Sequence, residues 1–361
     1  LIKNMIQFDT IRQYNFPTTI RFGAGASAEL GPHLKEQGYL RPLVVTDPTV
    51  RDLGFFRKLV ADLESKGLKP EVFSQIHKNP VKSDVLAGKK AYQDAGADCI
   101  VGIGGGAGMD VARAIALSIN HHRDLFDYDD LIGGDKYVTE DVPYFVTLPT
   151  TSGTGSEVGR SAIISEDETH RKRILFSPKL LAKMVFADPL LTMDLPPFIT
   201  AATGMDALTH NMEAFIAKGF HPMCEGIALQ GMSLIAESIV QATKSPDLAS
   251  RSKMMIASLM GAVAFQKGLG IVHSLAHPLS SLLDTHHGLA NAVNLPYGME
   301  FNAPGLEPAF ARMAQAMNLS STSATDLVNY LFDLNSQLGM PTRLGVIGVK
   351  EEHLDTLAGL A

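Results

Sequence analysis

The sequence changes character near residues 188–197, and this change limits the folds available to the chain. Before it, short apolar runs typical of strands alternate with segments of helical apolar spacing; after Pro196 and Pro197, helical patterns continue to the end. Alternating strands and helices imply right-handed βαβ units and a mostly parallel sheet. A chain of 361 residues is also too long for one core. We therefore predict a Rossmann-like α/β domain over 1–192 and an all-helical domain over 193–361.

The apolar patterns give approximate bounds for the elements. In the first half, a helix is predicted over 81–96, and the strand in 98–106 leads through a glycine-rich turn into another helix. The predicted strands lie in 42–47, 70–76, 98–106, 143–149, 160–167, 172–177 and 183–189. The predicted helices of the second half are 199–217, 221–242, 247–268, 271–283, 288–301, 306–317 and 324–338.

Acidic and imidazole side chains recur at helical spacing in the second half. Asp206 and His210 are four residues apart, as are His273 and His277, and His287 precedes a glycine. Residues four apart share a helix face, so packed helices could bring these groups to one divalent cation. One carboxylate with three imidazoles suits Fe(II) or Zn(II) better than Ca²⁺ or Mg²⁺. The alternative is a set of core histidines that bind backbone carbonyls.

A glycine-rich segment in the first half is a candidate phosphate site. The sequence GIGGGAGMD at 102–110 follows a predicted strand and opens a helix, where backbone N–H groups and the helix dipole favour a pyrophosphate. The spacing is not the usual Gly-x-Gly-x-x-Gly, so a simple tight turn is the alternative. Asp47, at the carboxyl end of the strand in 42–47, could accept hydrogen bonds from the adenosine ribose hydroxyls and would repel a 2′-phosphate, which favours NAD over NADP. It could equally cap the helix that begins at Pro48.

Several motifs together resemble the iron-containing (group III) alcohol dehydrogenase family. They are the triple glycine before MDVARAIA, LPTTSGTGSEV at 148–158, AATGMDALTHNMEAF at 201–215, and GIVHSLAHPL followed by HHGLANAVNLP within 270–296. The resemblance covers nearly the whole chain and implies a dehydroquinate synthase-like architecture with the active site between the two domains.

The resemblance also implies roles for individual residues. His277 matches the histidine beside the metal near nicotinamide and substrate, where it could relay a proton or only support a ligand. The implied metal ligands are Asp206, His210, His273 and His287, with His287 preferred over His286. The implied cofactor-binding residues are Asp47, Gly104, Gly105, Gly106, Thr150, Thr151, Thr154 and Lys172.

The chain departs from the family pattern at two positions and in its length. Ala107 replaces a serine after the triple glycine, and Arg113 replaces a lysine after Asp110. Loss of the serine hydroxyl removes one contact worth about 0.5 to 1.5 kcal/mol, which affects cofactor affinity more than cofactor class. The chain also ends somewhat earlier than relatives usually do, after all the implied site residues.

These observations predict a metal-dependent alcohol dehydrogenase that transfers a hydride between a small primary alcohol or diol, or its aldehyde, and NAD(H). Fe(II) is the expected metal and Zn(II) an alternative. The side chains of Phe265, Leu269 and Ile271 are expected to line the substrate pocket. A glycerol dehydrogenase-like enzyme, a metal-dependent hydrolase and a non-catalytic binding protein remain alternatives.

Composition excludes several other classes. A net charge of −7 argues against a nucleic-acid partner, and the two cysteines, Cys99 and Cys224, fall in different predicted domains and allow no disulfide framework. The longest apolar run, 254–265, is too short to span a bilayer, and residues 1–10 lack the pattern of a signal peptide. We expect a cytoplasmic enzyme without a membrane partner, and the resemblance implies a homodimer or higher homo-oligomer.

Overall fold

The computed structural model describes residues 16 and 18–361, so the signal-peptide prediction for 1–10 lies outside the described residues. Six strands form one parallel sheet in the order β1-β8-β5-β4-β2-β3, and two more form a separate antiparallel hairpin. The strands are β1 Thr19–Phe22, β2 Pro42–Val45, β3 Glu71–Phe73, β4 Cys99–Gly104, β5 Tyr144–Pro149, β6 Ser161–Ser165, β7 Lys172–Phe176 and β8 Met184–Ala187.

The strands β2, β4 and β5 form the buried centre of the sheet because their side chains are apolar on both faces. In β2, Leu43 and Val45 pack on one side while Val44 packs on the other. This two-sided burial is typical of parallel sheets covered by helices on both faces. The predicted fold class is therefore confirmed. The α-helices of this half are α1 Leu30–Glu36, α2 Pro48–Arg51, α3 Gly54–Ser65, α4 Lys82–Asp94 and α5 Gly106–Asn120.

Two features of this half differ from the prediction. Strand β1, with the sequence TIRF, was not predicted; it is an edge strand with a mostly exposed surface, so it lacks the apolar pattern of a central strand. Strands β6 and β7 were predicted as strands but do not join the parallel sheet. They pair with each other, with Ile163 opposite Ile174. Only the six residues 166–171 connect them, whereas a parallel crossover needs about a dozen.

The second half is helical throughout, as predicted. Its central helix, α6, is buried from Thr200 to Phe215 and therefore shows almost no polar face. The C-terminal helix α13, which is short, was not predicted. The helices are α6 Pro197–Ile216, α7 Pro222–Lys244, α8 Leu248–Ala264, α9 Ile271–Leu283, α10 His287–Asn302, α11 Glu307–Ala316, α12 Ala324–Gln337 and α13 Leu354–Leu360.

Helix α7 is the one described helix long and apolar enough by composition to cross a membrane. It packs against α6 and α8, and Met232 and Ile235 on its inner face are fully buried in the core of the helical half. Its apolar character is therefore accounted for by this core.

The two halves contact each other on both sides of a cleft. On one side, the hydroxyl of Ser258 in α8 donates to the carbonyl of Gly153, 3.0 Å away. On the other, the Asp284 carboxylate, between α9 and α10, contacts the Asn79 amide and lies 3.5 Å from the Lys78 ammonium. These contacts set the orientation of the sheet edge toward the helices.

Candidate active site

Three loops meet at the carboxyl edge of the sheet because β5, β4 and β2 are neighbours. Asp47 follows β2, Gly105 follows β4, and Thr150 follows β5. The carboxyl edge of a parallel sheet near a topological switch point is where open α/β folds bind nucleotides. The amino end of α5, at Gly106, opens at the same place and offers free backbone N–H groups.

Asp47 has a structural role at this edge. Its Oδ1 accepts a hydrogen bond from the backbone N–H of Val50, 2.9 Å away, and so caps α2. The side chain also lines the cleft, and its Oδ2 lies 3.4 Å from the position that a Cβ on Gly104 would take. The cap uses one carboxylate oxygen, so Oδ2 can face a ligand in the cleft.

The loop after β5 contacts both halves of the protein. Thr151 and Thr154 lie against Gly105 and Gly106, so their hydroxyls share the cleft wall with the glycine turn. A Cβ on Gly155, whose φ is +63°, would lie 2.2 Å from the Cβ of Ala262 in α8. This glycine is therefore required by the packing of the two halves, which the sequence pattern did not distinguish from phosphate binding.

Lys172 opens β7 and lines the same cleft from the hairpin. Burial lowers the pKa of its ammonium group, and the carboxylates of Asp110 and Asp284 oppose this shift. The hairpin thus brings a positive charge to the cleft wall, close enough to His277 to contribute to lowering the pKa of that imidazole.

Helices α6, α9 and α10 bring the predicted ligand residues to one point. One ligand atom from each of Asp206, His210 and His273 lies within 4.8 Å of the others. His287 Nε2 lies 3.5 Å from Asp206 Oδ1, and His273 Nε2 lies 3.9 Å from it. Separations of about 3.5 Å are those of donor atoms that share a tetrahedral cation at roughly 2.1 Å.

The electrostatics of this cluster favour a cation. Burial lowers the pKa of His210 to about 4 and that of His287 to about 3, so both rings are neutral near pH 7. Burial raises the pKa of Asp206, but the surrounding imidazoles and an amide donor outweigh it, and the carboxyl remains ionised. A buried carboxylate beside the neutral imidazoles of His210 and His287 carries a negative charge, and this burial costs free energy until a cation binds.

The two remaining histidines of the region occupy different positions. The His277 ring is exposed to the cleft, with its centroid 6.2 Å from that of His273 and 5.6 Å from that of His287. His286 instead caps α10, since its Nδ1 accepts from the backbone N–H of Leu289 at 3.4 Å. The structure therefore places His287, and not His286, in the cluster.

Glu213 belongs to this site and was missed by the sequence analysis. Its Oε2 lies 2.6 Å from His273 Nδ1, and its Oε1 accepts from the backbone N–H of Val272 at 2.7 Å. The carboxylate thus orients the imidazole and satisfies the start of α9. The available signal was the spacing of Glu213, which follows His210 by three residues and so lies near the same helix face.

We expect Glu213→Gln to weaken metal binding about 10- to 100-fold, because a neutral amide no longer holds His273 by a charged hydrogen bond. Competition with a chromophoric chelator measures this affinity. Glu225→Gln, on neighbouring α7, is the matched control and should bind metal like the wild type. Equal affinity for Glu213→Gln and wild type would contradict a role in orienting His273.

Arg113, the departure from the family pattern, has a structural explanation. Its guanidinium is fully buried and donates to the carbonyls of Ser161 at 2.6 Å and Leu180 at 3.3 Å, and to the carbonyl of Ser156. It therefore ties α5 to the start of the hairpin. Ala107 lines the cleft in the first turn of α5, so the position of the family serine faces the same cleft.

One cleft of about 1330 Å³ joins the sheet edge to the histidine cluster. Phe265 and Leu269 line it as predicted, whereas Ile271 was placed wrongly: it packs against the core of the helical half. The predicted site residues that line this cleft are Asp47, Gly105, Gly106, Thr150, Thr151, Thr154, Lys172, Asp206, His210, His273, His277 and His287.

A nucleotide-type sheet edge that shares one cleft with a buried carboxylate and imidazoles defines a metal-dependent, nicotinamide-linked oxidoreductase. Comparison with known proteins specifies the class further. The profile described as Iron-containing alcohol dehydrogenase matches residues 17–189, and that of the Fe-containing alcohol dehydrogenase family, C-terminal, matches residues 200–361. The chain belongs to the iron-containing alcohol dehydrogenase family.

Individual relatives agree with this assignment. The 4-hydroxybutyrate dehydrogenase of Cupriavidus necator is 39% identical over 348 residues, covering 94% of this chain and 90% of its own. A solved 1,3-propanediol oxidoreductase matches with a TM-score of 0.92 and 33% identity over 97% of this chain and 93% of its own. The NAD⁺ complex of a sulfoacetaldehyde reductase from Bifidobacterium kashiwanohense matches with a TM-score of 0.89 and 27% identity. The match covers 97% of this chain and 92% of that protein's chain. The predicted alcohol dehydrogenase activity, with iron and a nicotinamide cofactor, is confirmed.

Proposed function

We propose that this enzyme oxidises small primary alcohols, diols or ω-hydroxy acids with NAD, and that Asp206, His210, His273 and His287 hold its Fe(II), or Zn(II), cation. The observation that carries the proposal is the ionised Asp206 carboxylate, buried among neutral imidazoles in the same cleft as the sheet edge. We place the domain boundary at 192/193, between the end of β8 and the start of α6. A cytoplasmic homodimer or higher homo-oligomer is part of the proposal.

The residues present fit such a cation by their chemistry. One carboxylate oxygen and three imidazole nitrogens form a donor set of intermediate softness, which binds Fe(II) or Zn(II). When bound, the cation lowers the pKa of the alcohol and polarises the carbonyl of the product. The glycine turn after β4, with Thr150, Thr151 and Thr154, would hold the dinucleotide so that its nicotinamide reaches the cation.

The walls of the cleft suggest the range of substrates. Phe265 and Leu269 offer apolar surface that would exclude water around a short carbon chain. Lys172 and Arg160 bring positive charge to the same cleft, which suits a substrate with an anionic end. The relative that acts on 4-hydroxybutyrate, as its name states, supports including ω-hydroxy acids.

A single assay tests the proposal. The enzyme, loaded anaerobically with Fe(II), should form absorbance at 340 nm with NAD and at least one of 4-hydroxybutyrate, 1,3-propanediol and 1-propanol. Chelator treatment should abolish the signal, and added Fe(II) or Zn(II) should restore it. Metal-dependent phosphoester hydrolysis without any reduction of NAD or NADP would overturn the proposal in favour of a hydrolase.

His277 is proposed to accept the proton of the alcohol. Desolvation by the surrounding cleft wall lowers the pKa of its imidazole to about 4, so the ring is neutral near pH 7 and has a lone pair that can take the proton in transit. We expect His277→Ala to keep the metal and to lower kcat for alcohol oxidation about 100-fold. Because hydroxide can replace the imidazole, the deficit should shrink above about pH 9.

The pH dependence of kcat, together with metal content, tests this role. His170→Ala, at an exposed turn of the hairpin, is the control. A uniform loss of kcat at every pH would instead assign His277 a purely supporting role beside the ligands.

Asp47 is proposed to select NAD over NADP. In Asp47→Ser the hydroxyl still caps α2, but the negative charge that would repel a 2′-phosphate is removed. We expect the ratio of kcat/KM for NAD to that for NADP to fall about tenfold, which corresponds to about 1.4 kcal/mol. The exposed neighbour Asp52 provides the control Asp52→Ser, which should leave the ratio unchanged. An unchanged ratio in Asp47→Ser would leave Asp47 only its capping role.

A further inference from the structure

Asn291 places its side-chain amide in contact with three of the candidate ligands. Its Nδ2 lies 2.6 Å from Asp206 Oδ1, 3.2 Å from His273 Nε2 and 3.2 Å from His287 Nε2. The residue is fully buried on α10, one turn after His287. Its Oδ1 has no hydrogen-bond partner among the described residues. The amide is therefore held by its nitrogen side alone.

The orientation of this amide follows from the charge of its neighbour. A carboxylate oxygen accepts hydrogen bonds, so an amide oxygen 2.6 Å from Asp206 Oδ1 would be repelled, whereas an amide N–H is attracted. Donation to His273 and His287 in turn requires that the Nε2 atoms facing Asn291 carry lone pairs. The amide thus favours the tautomers in which these nitrogens can bind a cation.

Glu213 favours the same tautomer of His273 from the opposite side of the ring. The 2.6 Å contact of its Oε2 with Nδ1 places a proton on Nδ1, which is the tautomer whose Nε2 can accept from the Asn291 amide. His273 is therefore held between a buried carboxylate and a buried amide.

The two N–H bonds of the Asn291 amide face three acceptors, so the amide cannot fully satisfy all of them. Because these acceptors have too few donors, binding of a cation to them is still favourable.

We propose that Asn291 is a positioning residue for metal loading, which holds Asp206, His273 and His287 in the arrangement and tautomers that a divalent cation requires. The inference rests on the proposed metal site. A neutral donor suits this task, because it brings the acceptors together without the charge of lysine or arginine, which would repel the incoming cation. When a cation binds, Asp206, His273 and His287 would replace their hydrogen bonds to the Asn291 amide by bonds to the cation.

The test is binding of Co²⁺ to the metal-free enzyme, followed by its visible absorption and by chelator competition. Asn291→Ala is the first variant. Asn294→Ala is the matched control, since Asn294 lies buried on the same helix and its Nδ2 lacks a partner among the described residues. Asn291→Asp is a second variant that keeps the side-chain shape but replaces the amide donor by an anionic acceptor.

We expect Asn291→Ala to bind Co²⁺ about 10- to 100-fold more weakly than the wild type, and Asn294→Ala to stay within about threefold. Asn291→Asp should bind Co²⁺ more tightly and change its visible spectrum, because it adds a second carboxylate to the donor set. In ¹⁵N NMR spectra of the metal-free protein, the Nε2 signal of His273 should shift toward a mixture of tautomers in Asn291→Ala.

The outcomes separate this inference from the proposed function. A wild type that fails to bind one Co²⁺ per chain overturns the metal site itself. A wild type that binds, with Asn291→Ala equally tight or with Asn294→Ala equally weakened, overturns only the role of Asn291. If Asn291→Ala does not fold, Asn291→Asp decides: wild-type affinity together with a wild-type spectrum overturns the inference.

Discussion

Replacing Asp206 by asparagine should remove nearly all bound iron and lower kcat/KM for alcohol oxidation at least about a thousandfold, or about 4 kcal/mol. The asparagine has the same shape, so the effect isolates the charge. Asp206 supplies the carboxylate of the cluster that it forms with His210 and His273, and His287 Nε2 lies 3.5 Å from its Oδ1. Neutral imidazoles alone offer a divalent cation no opposite charge in a buried site.

Metal analysis after anaerobic loading and steady-state kinetics check this expectation. Asp194→Asn is the matched control, because Asp194 lines the same cleft but is exposed and lies outside the cluster. It should retain iron and most of the activity. Full iron content in Asp206→Asn would show that the imidazoles hold the cation without the carboxylate, and the proposed ligand set would be wrong.

Replacing Gly288 by alanine should also inactivate the enzyme, although the residue has no chemical group of its own. A Cβ at this position would lie 2.4 Å from the carbonyl oxygen of Ala202 and 2.8 Å from its carbonyl carbon. Both are backbone atoms of α6, so neither can move without shifting the helix that carries Asp206 and His210. Overpacking of this kind costs about 1 to 3 kcal/mol. Since His287 is adjacent, its imidazole moves away from Asp206.

Thermal unfolding and metal titration together measure this effect. We expect Gly288→Ala to unfold at a lower temperature and to bind metal at least about tenfold more weakly, because a displaced ligand loses its contact. Gly226→Ala is the control: this exposed glycine in α7 has open space around its Cβ position, and alanine there should be neutral or stabilising by about 0.5 to 1 kcal/mol. A variant at Gly288 with wild-type metal affinity would refute the close-packing argument.

The same contact explains why the His-Gly pair was informative in the sequence. His287 is the residue that reaches Asp206, and Gly288 is the residue that allows α10 to approach α6 closely enough for it to do so. From the sequence alone, the glycine marked only the end or the beginning of an element. The role of Gly288 in packing depends on which helix lies opposite it, and the local spacing of residues does not show which helix that is.

Local patterns were sufficient for the class of fold and for much of the candidate site. Apolar runs in β2, β4 and β5 indicated buried parallel strands, because only strands covered on both faces are apolar throughout. The spacing of Asp206 and His210, and of His273 and His277, indicated shared helix faces, since a helix repeats every 3.6 residues. Elements that lack such a pattern, such as the exposed strand β1, were missed.

Tertiary packing decided the rest, because it depends on which distant segments meet. Examples are the antiparallel pairing of β6 with β7, the packing of Ile271 against the helical core and the capping role of His286. They follow from neighbours far apart in sequence or from the local path of the chain. The contacts of Glu213 with His273 and of Asn291 with Asp206 join residues 60 and 85 positions apart. Periodicity shows which face a residue occupies, but only the packed helices determine what that face meets.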